Sequence, residues 1–248
     1  METNTSELTK PKYLYKYHRL NVHLFEMLTN AELYLSSRTD LNDPLDSTVT
    51  MSLDNYLNFY YEKYPSLKTE KHTKDISQVF KWKVESGDTD WLNDIDDLQS
   101  KIRVSCFTED GNNPLMWSHY ADNHTGVCLK FDLSKDSNLQ NALQPVSYTS
   151  KLIDAETRED LQNCLLTKLN NWEIEKEWRI ISDKEKFRFK HEAVAEIIFG
   201  LKVPIKTLNW FKYFAEGVFY GSTPISKLKI KGNRLVKVNE WDDDIIDD

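Results

Sequence analysis

The stretch PLMWSHYADNHTGVCLKFD, residues 114–132, indicates the fold class of this chain. Asn113 and Pro114 favour a helix start, because proline is preset for the first helical position. The helix is expected to end near Asp122 and Asn123, and GVCLKFD, residues 126–132, then has the apolar composition of a strand. A helix followed at once by a strand, with further elements on both sides, predicts an α+β fold.

The segments around this stretch extend the pattern. Strands are predicted at KYLYKY (12–17), AELYLSS (31–37), KIRVSCF (101–107), QPVSY (144–148), EKEWRIIS (175–182), AEIIFG (195–200), GVFYG (217–221) and KLKI with RLVKV (227–238). Helices are predicted after Asn21, over 47–64, in two pieces over 70–100, over 152–172 and over 204–215. We therefore predict a mixed β-sheet core with flanking helices and a helical insertion at about 47–100.

The predicted organisation is a disordered leader at 1–10, a single α+β domain at 11–239 and an acidic tail at 240–248. The chain has 248 residues and a net charge of −8, and six of its acids lie within 240–248, so the rest carries only −2. Such a body is a poor non-specific binder of nucleic acid, because phosphate contacts need Lys and Arg. The tail is expected to be a solvated end or a contact for a protein partner.

Composition excludes several classes of protein. A hydrophobic fraction of 40%, with seven Gly and seven Pro, excludes a disordered, collagen-like or low-complexity chain. No run approaches the roughly 18 apolar residues of a membrane helix, so no membrane contact is expected. The start METNTSELTKPK has no apolar signal region, and Cys106, Cys128 and Cys164 lack metal-site spacing. We therefore expect a cytoplasmic protein with reduced thiols and no metal site.

Several motifs occur in one order: LYKYH, LYLSSRTDLNDPLD, SCFTEDGNNPLMWSHYADNHTGVCLKFD and EIEKEWRII. Together they resemble a bacterial domain-of-unknown-function family, number 2971, over roughly residues 13–200. Members of that family commonly have glutamate after GVC-Leu, where this chain has Lys130. The resemblance names a family and implies no established reaction, so function is argued from the residues.

A more distant resemblance is to the ADP-ribosyltransferases, in which Arg or His, then Ser or Tyr, then Glu-x-Glu follow in that order. This resemblance implies an ADP-ribosyltransferase-like fold and NAD as the substrate. It makes Glu177 the catalytic carboxylate and Glu175 its helper toward the acceptor, an unidentified protein or nucleic acid. Cleavage of the nicotinamide–ribose bond passes through an oxocarbenium-like centre, which a nearby carboxylate stabilises. The implied setting is a toxin or a phage-defence effector.

The residues expected to bind NAD come from the first strand, the second strand and two loops. Arg19 or Lys16 would hold the diphosphate, and Ser36 would hold the ribose. Loops are where binding groups concentrate, which adds the turn before Pro44 and the loop after the MWSHY helix. The full predicted binding set is Lys16, Tyr17, Arg19, Ser36, Asn42, Asp43 and His124.

The acids before the EWRIIS strand are expected to share one face. At a strand start, Glu173, Glu175 and Glu177 point one way, with Arg179 able to orient Glu177. Trp178 and Ile180 then occupy the opposite, core-facing side. Glu173 is expected to be more solvated than Glu177. The alternative is a solvent-facing charged sheet edge without chemistry.

Two other interpretations of the function stay open. The first is a hydrolase or nuclease that uses Asp43, His124 and Glu177, with or without a metal. The second is a non-enzymatic interaction module, whose aromatic grooves and acidic tail bind another protein. Asn42-Asp43-Pro44 has a plain turn role as its alternative, because Asx side chains satisfy backbone groups before proline. Trp117 is expected to pack in the core.

Overall fold

A computed structural model describes residues 10–96, 100–219 and 223–239, without the side chain of Thr39. The described residues form a mixed α+β fold with a large mixed sheet and flanking helices, which confirms the predicted fold class. Residues 1–9 of the predicted leader and the predicted tail, 240–248, lie outside the described residues.

Fifteen strands and eight α-helices can be bounded within the described residues. The strands are β1 (Tyr13–His18), β2 (Glu32–Tyr34), β3 (Ser36–Ser37), β4 (Val49–Thr50), β5 (Arg103–Thr108), β6 (Val127–Asp132), β7 (Leu143–Pro145), β8 (Ser147–Thr149), β9 (Ile153–Asp154), β10 (Thr167–Leu169), β11 (Glu177–Ser182), β12 (Lys186–Arg188), β13 (Val194–Phe199), β14 (Ile225–Lys231) and β15 (Arg234–Val238). The helices are α1 (Val22–Asn30), α2 (Leu53–Lys63), α3 (Glu70–Ser86), α4 (Trp91–Ile95), α5 (Pro114–Tyr120), α6 (Ser137–Ala142), α7 (Arg158–Asn163) and α8 (Ile205–Phe219).

The chain divides into two compact units, each built from separate segments. The first unit contains Met1–Leu33, Cys106–Ala142 and Arg188–Asp248, and the second contains Tyr34–Ser105 and Leu143–Phe187. Two compact units can belong to one domain, so the single domain at 11–239 stays a prediction.

The first unit is organised around strands in the order β15-β14-β13-β6-β1. The β13–β14 pair is parallel and α8 is its crossover helix, while the β1–β6, β6–β13 and β14–β15 pairs are antiparallel. Side chains start two of its helices as predicted: Asn21 accepts from the Leu24 N–H and Asn113 from the Leu115 N–H. Side-chain capping therefore determines where α1 and α5 begin.

The second unit contains the predicted helical insertion. Helices α2, α3 and α4 pack an aromatic cluster in which the rings of Tyr56 and Phe80 stack with centroids 4.2 Å apart. Helix α3 ends at Gly87, whose φ of 74° is a left-handed conformation that glycine adopts without steric cost. The same unit holds the antiparallel pairs β3–β5 and β7–β11 and the parallel pairs β4–β9 and β8–β10.

Three sequence predictions of elements were wrong. The single helix over 152–172 is in fact β9, α7 and β10 with 3₁₀ turns between and after them, because β9 and β10 pair with β4 and β8. The helix over 47–64 starts only at Leu53, since Val49 and Thr50 form β4. The strand over 217–221 was wrong at residues 217–219, which end α8, and residues 220–222 lie outside the described residues. Tertiary strand pairing overrode local helix propensity at the first two sites.

Candidate functional site

The two units divide the residues predicted to act on NAD. The first unit contains Lys16, Tyr17, Arg19 and His124, and the second contains Ser36, Asn42, Asp43, Glu175 and Glu177. Each group is described within its own unit.

In the first unit, Tyr17 and His124 both pack on Trp117. The Tyr17 and Trp117 rings meet edge-on with centroids 5.1 Å apart, and the His124 ring stacks over Trp117 at 5.9 Å. Trp117 is fully buried and its indole N–H donates to the Gly111 carbonyl at 3.2 Å. These contacts confirm that Trp117 is a core residue.

The loop that carries His124 has an unusual backbone. Asp122, Asn123 and His124 have φ angles of 49°, 53° and 71°, so three successive non-glycine residues are left-handed. Such residues are strained and persist only where the surroundings hold them. The Lys202 N–H donates to the His124 carbonyl at 3.0 Å, and a Cβ on Gly200 would lie 2.2 Å from that oxygen. Close packing against the chain after β13 therefore holds this loop.

The imidazole of His124 is held neutral. Burial, and then the nearby positive charge of Lys202, lower the pKa of His124 below its ordinary value of 6.5. Its Nδ1 atom is buried and has no hydrogen-bond partner among the described residues. A neutral ring stacked on Trp117 fits both a core role and the role of a hydrogen-bonding group for a ligand.

The other two predicted residues of the first unit differ in exposure. The Lys16 ammonium donates to the Cys106 carbonyl at 3.1 Å and lies 5.2 Å from the centre of the Phe107 ring. Arg19 is exposed. The Lys16 ammonium therefore has partners within the first unit, whereas Arg19 is exposed to solvent.

In the second unit, Asp43 of the Asn42-Asp43-Pro44 turn has the structural role that was the alternative to ligand binding. The Asp43 carboxylate accepts from the Leu45 N–H at 2.9 Å, which is an Asx turn, and Asp43 is buried. Asn42 is exposed, and Ser36 is half-buried on β3 opposite Val104. Turn chemistry accounts for the position of Asp43.

Glu175 and Glu177 converge on a lysine that the sequence did not single out. The Lys168 ammonium lies 2.6 Å from a Glu175 oxygen, 3.2 Å from a Glu177 oxygen and 3.4 Å from an Asp46 oxygen. We call the group of five buried residues around this point the acid–base cluster. Its members are Asp46, Lys168, Glu175, Glu177 and Arg179.

Arg179 is the most connected member of the acid–base cluster. Its Nε and Nη2 donate to the two Glu177 oxygens at 2.8 Å and 3.0 Å, and Nη1 and Nη2 donate to the two Asp46 oxygens at 2.8 Å and 2.6 Å. Nη1 also lies within bonding distance of the Ser47 hydroxyl and the Leu165 carbonyl. Paired planar contacts of this kind are the strong form of a charged hydrogen bond. The sequence-based expectation that Arg179 orients Glu177 is confirmed.

The formal charges of the acid–base cluster do not cancel. Among its five members three carboxylates face two cations, so the formal charge of this set of residues is −1. Burial lowers the pKa of Lys168, but the Glu177, Glu175 and Asp46 carboxylates raise it more, so the net shift is upward and the ammonium stays charged. Burial raises the pKa of Tyr148 to about 12, so its hydroxyl is neutral, and it accepts from the Glu177 N–H at 2.7 Å.

The predicted strand phase before β11 was wrong. Residues Asn170–Glu175 form a 3₁₀ turn, Lys176 is left-handed with a φ of 45°, and the strand begins only at Glu177. Glu175 and Glu177 therefore meet through a tight turn and not through strand alternation. Glu173 is exposed as expected, whereas Glu175 and Glu177 are 4% and 5% exposed. The alternative of a solvent-facing charged edge is also wrong at these two acids.

Residues 116–180, about a quarter of the chain, match the family described as protein of unknown function, DUF2971. The chain resembles the DUF2971 family. The DUF2971 match contains residues 116–120 of α5 with the loop that follows, β6, and four of the five members of the acid–base cluster. No curated protein and no solved structure matches the chain. The resemblance to ADP-ribosyltransferases stays a prediction.

Within the described residues, no group of three or more His, Cys, Asp and Glu side chains could hold a metal ion. No helix in the described part of the chain is long and apolar enough to span a membrane. A surface pocket beside α2 contains none of the predicted site residues; it is lined by Asn55, Asn58, Phe59, Glu62 and Glu156.

Proposed function

We propose that the chain is an ADP-ribosyltransferase-like enzyme that cleaves NAD at the nicotinamide–ribose bond, with Glu177 and Glu175 as its carboxylates. One observation carries the proposal: these two acids meet in a buried cluster whose five members have a formal charge of −1. Charge develops on the ribose as its bond to nicotinamide breaks, and a preorganised negative site of low dielectric stabilises such a centre.

The arrangement in the second unit gives further support. Ser36, assigned to the ribose, belongs to the same unit as Glu175 and Glu177. Lys168 and Arg179 hold both carboxylates in place before any substrate binds, which is the preorganisation that such catalysis needs. Because the carboxylates are 4% and 5% exposed, NAD can contact them only if part of the surrounding chain moves.

We extend the proposal to the setting and the acceptor. The three cysteines are free, which supports a reducing, cytoplasmic location. The acceptor would be a protein or a nucleic acid, and the biological role would be that of a toxin or phage-defence effector.

The deciding experiment follows nicotinamide release from labelled NAD⁺ by the purified chain, together with transfer of the label to protein and nucleic-acid acceptors. We expect release by the unmodified chain, loss of release in Glu177→Gln, and retention in Glu173→Gln, whose side chain is exposed. Circular dichroism on each variant separates loss of chemistry from loss of folding. Absence of release by the unmodified chain with every acceptor class contradicts the proposal, as does full release by a folded Glu177→Gln variant.

A non-enzymatic interaction module is the second candidate function, and a separate observation favours it. Helix α8 in the first unit exposes Trp210 and Tyr213. Tyr and Trp are enriched at protein interfaces. Such a module would keep its binding in variants of Glu177 that fold, which distinguishes it from the enzyme.

A further inference from the structure

Three cations are buried among the described residues, and all three belong to the second unit. They are Arg38, Lys168 and Arg179, and each is at most 5% exposed. Burying a charge is costly unless an opposite charge accompanies it. The partners of each cation therefore show how its charge is compensated.

Carboxylates compensate two of these cations. The Lys168 ammonium lies within 3.4 Å of oxygens of three different acids. Arg179 donates to both oxygens of Asp46 and to both oxygens of Glu177. The second unit thus places carboxylates around Lys168 and Arg179.

Arg38 has no such carboxylate. It begins the 3₁₀ turn Arg38–Asp40 directly after β3, and its Nη2 donates to the Thr89 carbonyl at 3.3 Å. Its Nε atom is buried without a hydrogen-bond partner, and no acid in the described part of the chain forms an ion pair with it. Within that part, a buried guanidinium therefore has one long hydrogen bond to a neutral group.

The titratable groups that act on Arg38 do not neutralise it. Cys164 is buried, which raises the pKa of its thiol to about 12, so the thiol is neutral and donates to the Leu161 carbonyl at 3.2 Å. Asp90 is exposed, and solvent screens its charge. Burial outweighs both groups and lowers the pKa of Arg38 below its ordinary value. A guanidinium still stays charged at neutral pH, so the positive charge of Arg38 is not compensated by the described residues.

A hydroxyl close to Arg38 in the chain also has donor capacity left. Ser36, two positions earlier on β3, is half-buried, and its hydroxyl forms no hydrogen bond with the residues that the structure describes. This donor is available either to a phosphate oxygen or to a sugar joined to that phosphate. Arg38 and Ser36 together are thus donors without acceptors.

A phosphate group fits these donors better than a carboxylate does. It has a charge of about −1.5 to −2 at pH 7 and three acceptor oxygens, whereas a carboxylate has a single charge and two oxygens. The planar guanidinium fork matches the geometry of phosphate oxygens. The chemistry around Arg38 therefore favours a phosphorylated ligand.

We propose that Arg38 binds a phosphate group of a small-molecule ligand. The Nε–H group donates to one phosphate oxygen, and the anion compensates the buried charge of the guanidinium. Because Arg38 is 5% exposed, the ligand reaches it only after part of the surrounding chain moves. Phosphate binding at Arg38 does not depend on the NAD cleavage proposed above.

Titration calorimetry and thermal unfolding with inorganic pyrophosphate test the site. We expect pyrophosphate to bind the unmodified chain and, at ten times its Kd, to raise the melting temperature by about 3–6 °C. Acetate at the same concentration and sodium chloride at the same ionic strength should give no such rise. These two salts separate phosphate recognition from carboxylate binding and from a general effect of salt.

Arg38→Met separates binding from a structural role. Methionine fills much of the same volume without the charge, so the desolvation cost of an uncompensated cation is recovered. We expect a melting temperature at or above that of the unmodified chain, and no further rise with pyrophosphate. Arg38→Lys keeps the charge without the fork and should bind pyrophosphate about tenfold more weakly.

Arg158→Met is the matched control in the same unit. The Arg158 guanidinium is 45% exposed and pairs with Glu62 at 2.9 Å, so this variant should keep the full rise with pyrophosphate. Circular dichroism reports whether each variant is folded.

Several results would overturn the proposal. They are absence of pyrophosphate binding by the unmodified chain, undiminished binding by Arg38→Met, and an equal rise with acetate or sodium chloride. An Arg38→Met chain that unfolds, or that melts below Arg158→Met, also overturns it, because Arg38 would then be a structural residue. Pyrophosphate has no nicotinamide–ribose bond, so this experiment and the nicotinamide-release assay can fail separately.

Discussion

Arg179 donates two parallel hydrogen bonds to the carboxylate of Asp46, 133 positions earlier in the chain, at 2.6 Å and 2.8 Å. The guanidinium is completely buried, and it contacts Glu177 in the same two-point manner. One side chain thus connects the turn before β4 to the strand β11. The stability of the second unit therefore depends on this arginine.

Replacing Arg179 by Met should destabilise the protein by about 3–5 kcal/mol, because Asp46 and Glu177 would stay buried with Lys168 as their shared cation. Urea unfolding followed by circular dichroism measures the change. Arg188→Met is the control, since its guanidinium is exposed and its ion pair with Glu32 should contribute about 0–1 kcal/mol. Equal effects of the two substitutions would show that the buried contacts of Arg179 contribute little.

Within the acid–base cluster, Glu177→Gln should cost more stability than Glu175→Gln. Either change brings the formal charge of the cluster to zero, but Glu177 accepts two bonds from Arg179 and one from Lys168, whereas Glu175 accepts from Lys168. We expect a difference of at least about 1.5–3 kcal/mol, the size of one hydrogen bond to a charged group, because the counts differ by two bonds. Unfolding free energies of both variants give the answer. A larger loss in Glu175→Gln would assign the central role to the Lys168–Glu175 pair.

Acidification should destabilise the first unit through His124. Its folded-state pKa lies below the ordinary 6.5, because burial and Lys202 disfavour the charged ring. The stability that follows from this shift is present above about pH 6.5 and is lost as pH falls through the lower folded-state pKa. His18, whose pKa burial also lowers, acts in the same direction.

The test compares unfolding free energies at about pH 7.5 and about pH 5, where histidine titrates. His124→Asn should show a smaller loss on acidification than the unmodified chain, and asparagine tolerates the left-handed backbone at this position. His119→Asn, at an exposed position on α5, should keep the full loss. If His124→Asn lost as much stability on acidification as the unmodified chain, His124 would not be a cause of that loss.

Alanine at Gly200 and at Gly217 should have opposite effects. A Cβ at Gly200 would lie 2.2 Å from the His124 carbonyl oxygen, so the strained loop or the chain after β13 must shift. At Gly217 the space is open and the backbone is helical, so alanine should stabilise by about 0.5–1 kcal/mol. Thermal unfolding measures the change in melting temperature, which should be negative for Gly200→Ala and positive for Gly217→Ala. A melting temperature for Gly200→Ala at or above that of the unmodified chain would contradict the close approach.

Trp117→Ala should cost about 3–5 kcal/mol, the usual loss for a buried tryptophan. The rings of Tyr17 and His124 would each lose the surface on which they pack. Near-ultraviolet circular dichroism and urea unfolding measure the effect, with the exposed Trp82 replaced by Ala as the control. A stable Trp117→Ala variant that lacks only ligand binding would make Trp117 an aromatic platform for that ligand.

Much of the local structure was predictable because its causes lie close together in the chain. The side chains of Asn21 and Asn113 cap the helices that directly follow them, and the apolar composition of GVCLKFD marks β6. The acid–base cluster was only half predictable. Glu177 and Arg179 are two positions apart, whereas Asp46 joins them from a turn that sequence spacing does not connect to β11. The sequence predicted a helix at Lys168, but this residue lies on β10, which pairs with β8. The sequence therefore did not predict that Lys168 contacts Glu175.

The chain passes four times from one unit to the other, and this order of segments restricts how the protein can be dissected. No single cleavage separates the units, and no continuous fragment contains the whole of one unit without part of the other. A fragment limited to the DUF2971 match, 116–180, would include Arg179 but not Asp46, and Trp117 but not Tyr17. Such a fragment would leave the Arg179 guanidinium without Asp46 and the Trp117 ring without Tyr17. We therefore expect that the matched region does not fold by itself. Gene fragments intended to isolate one activity should instead join the two or three segments of a unit by linkers.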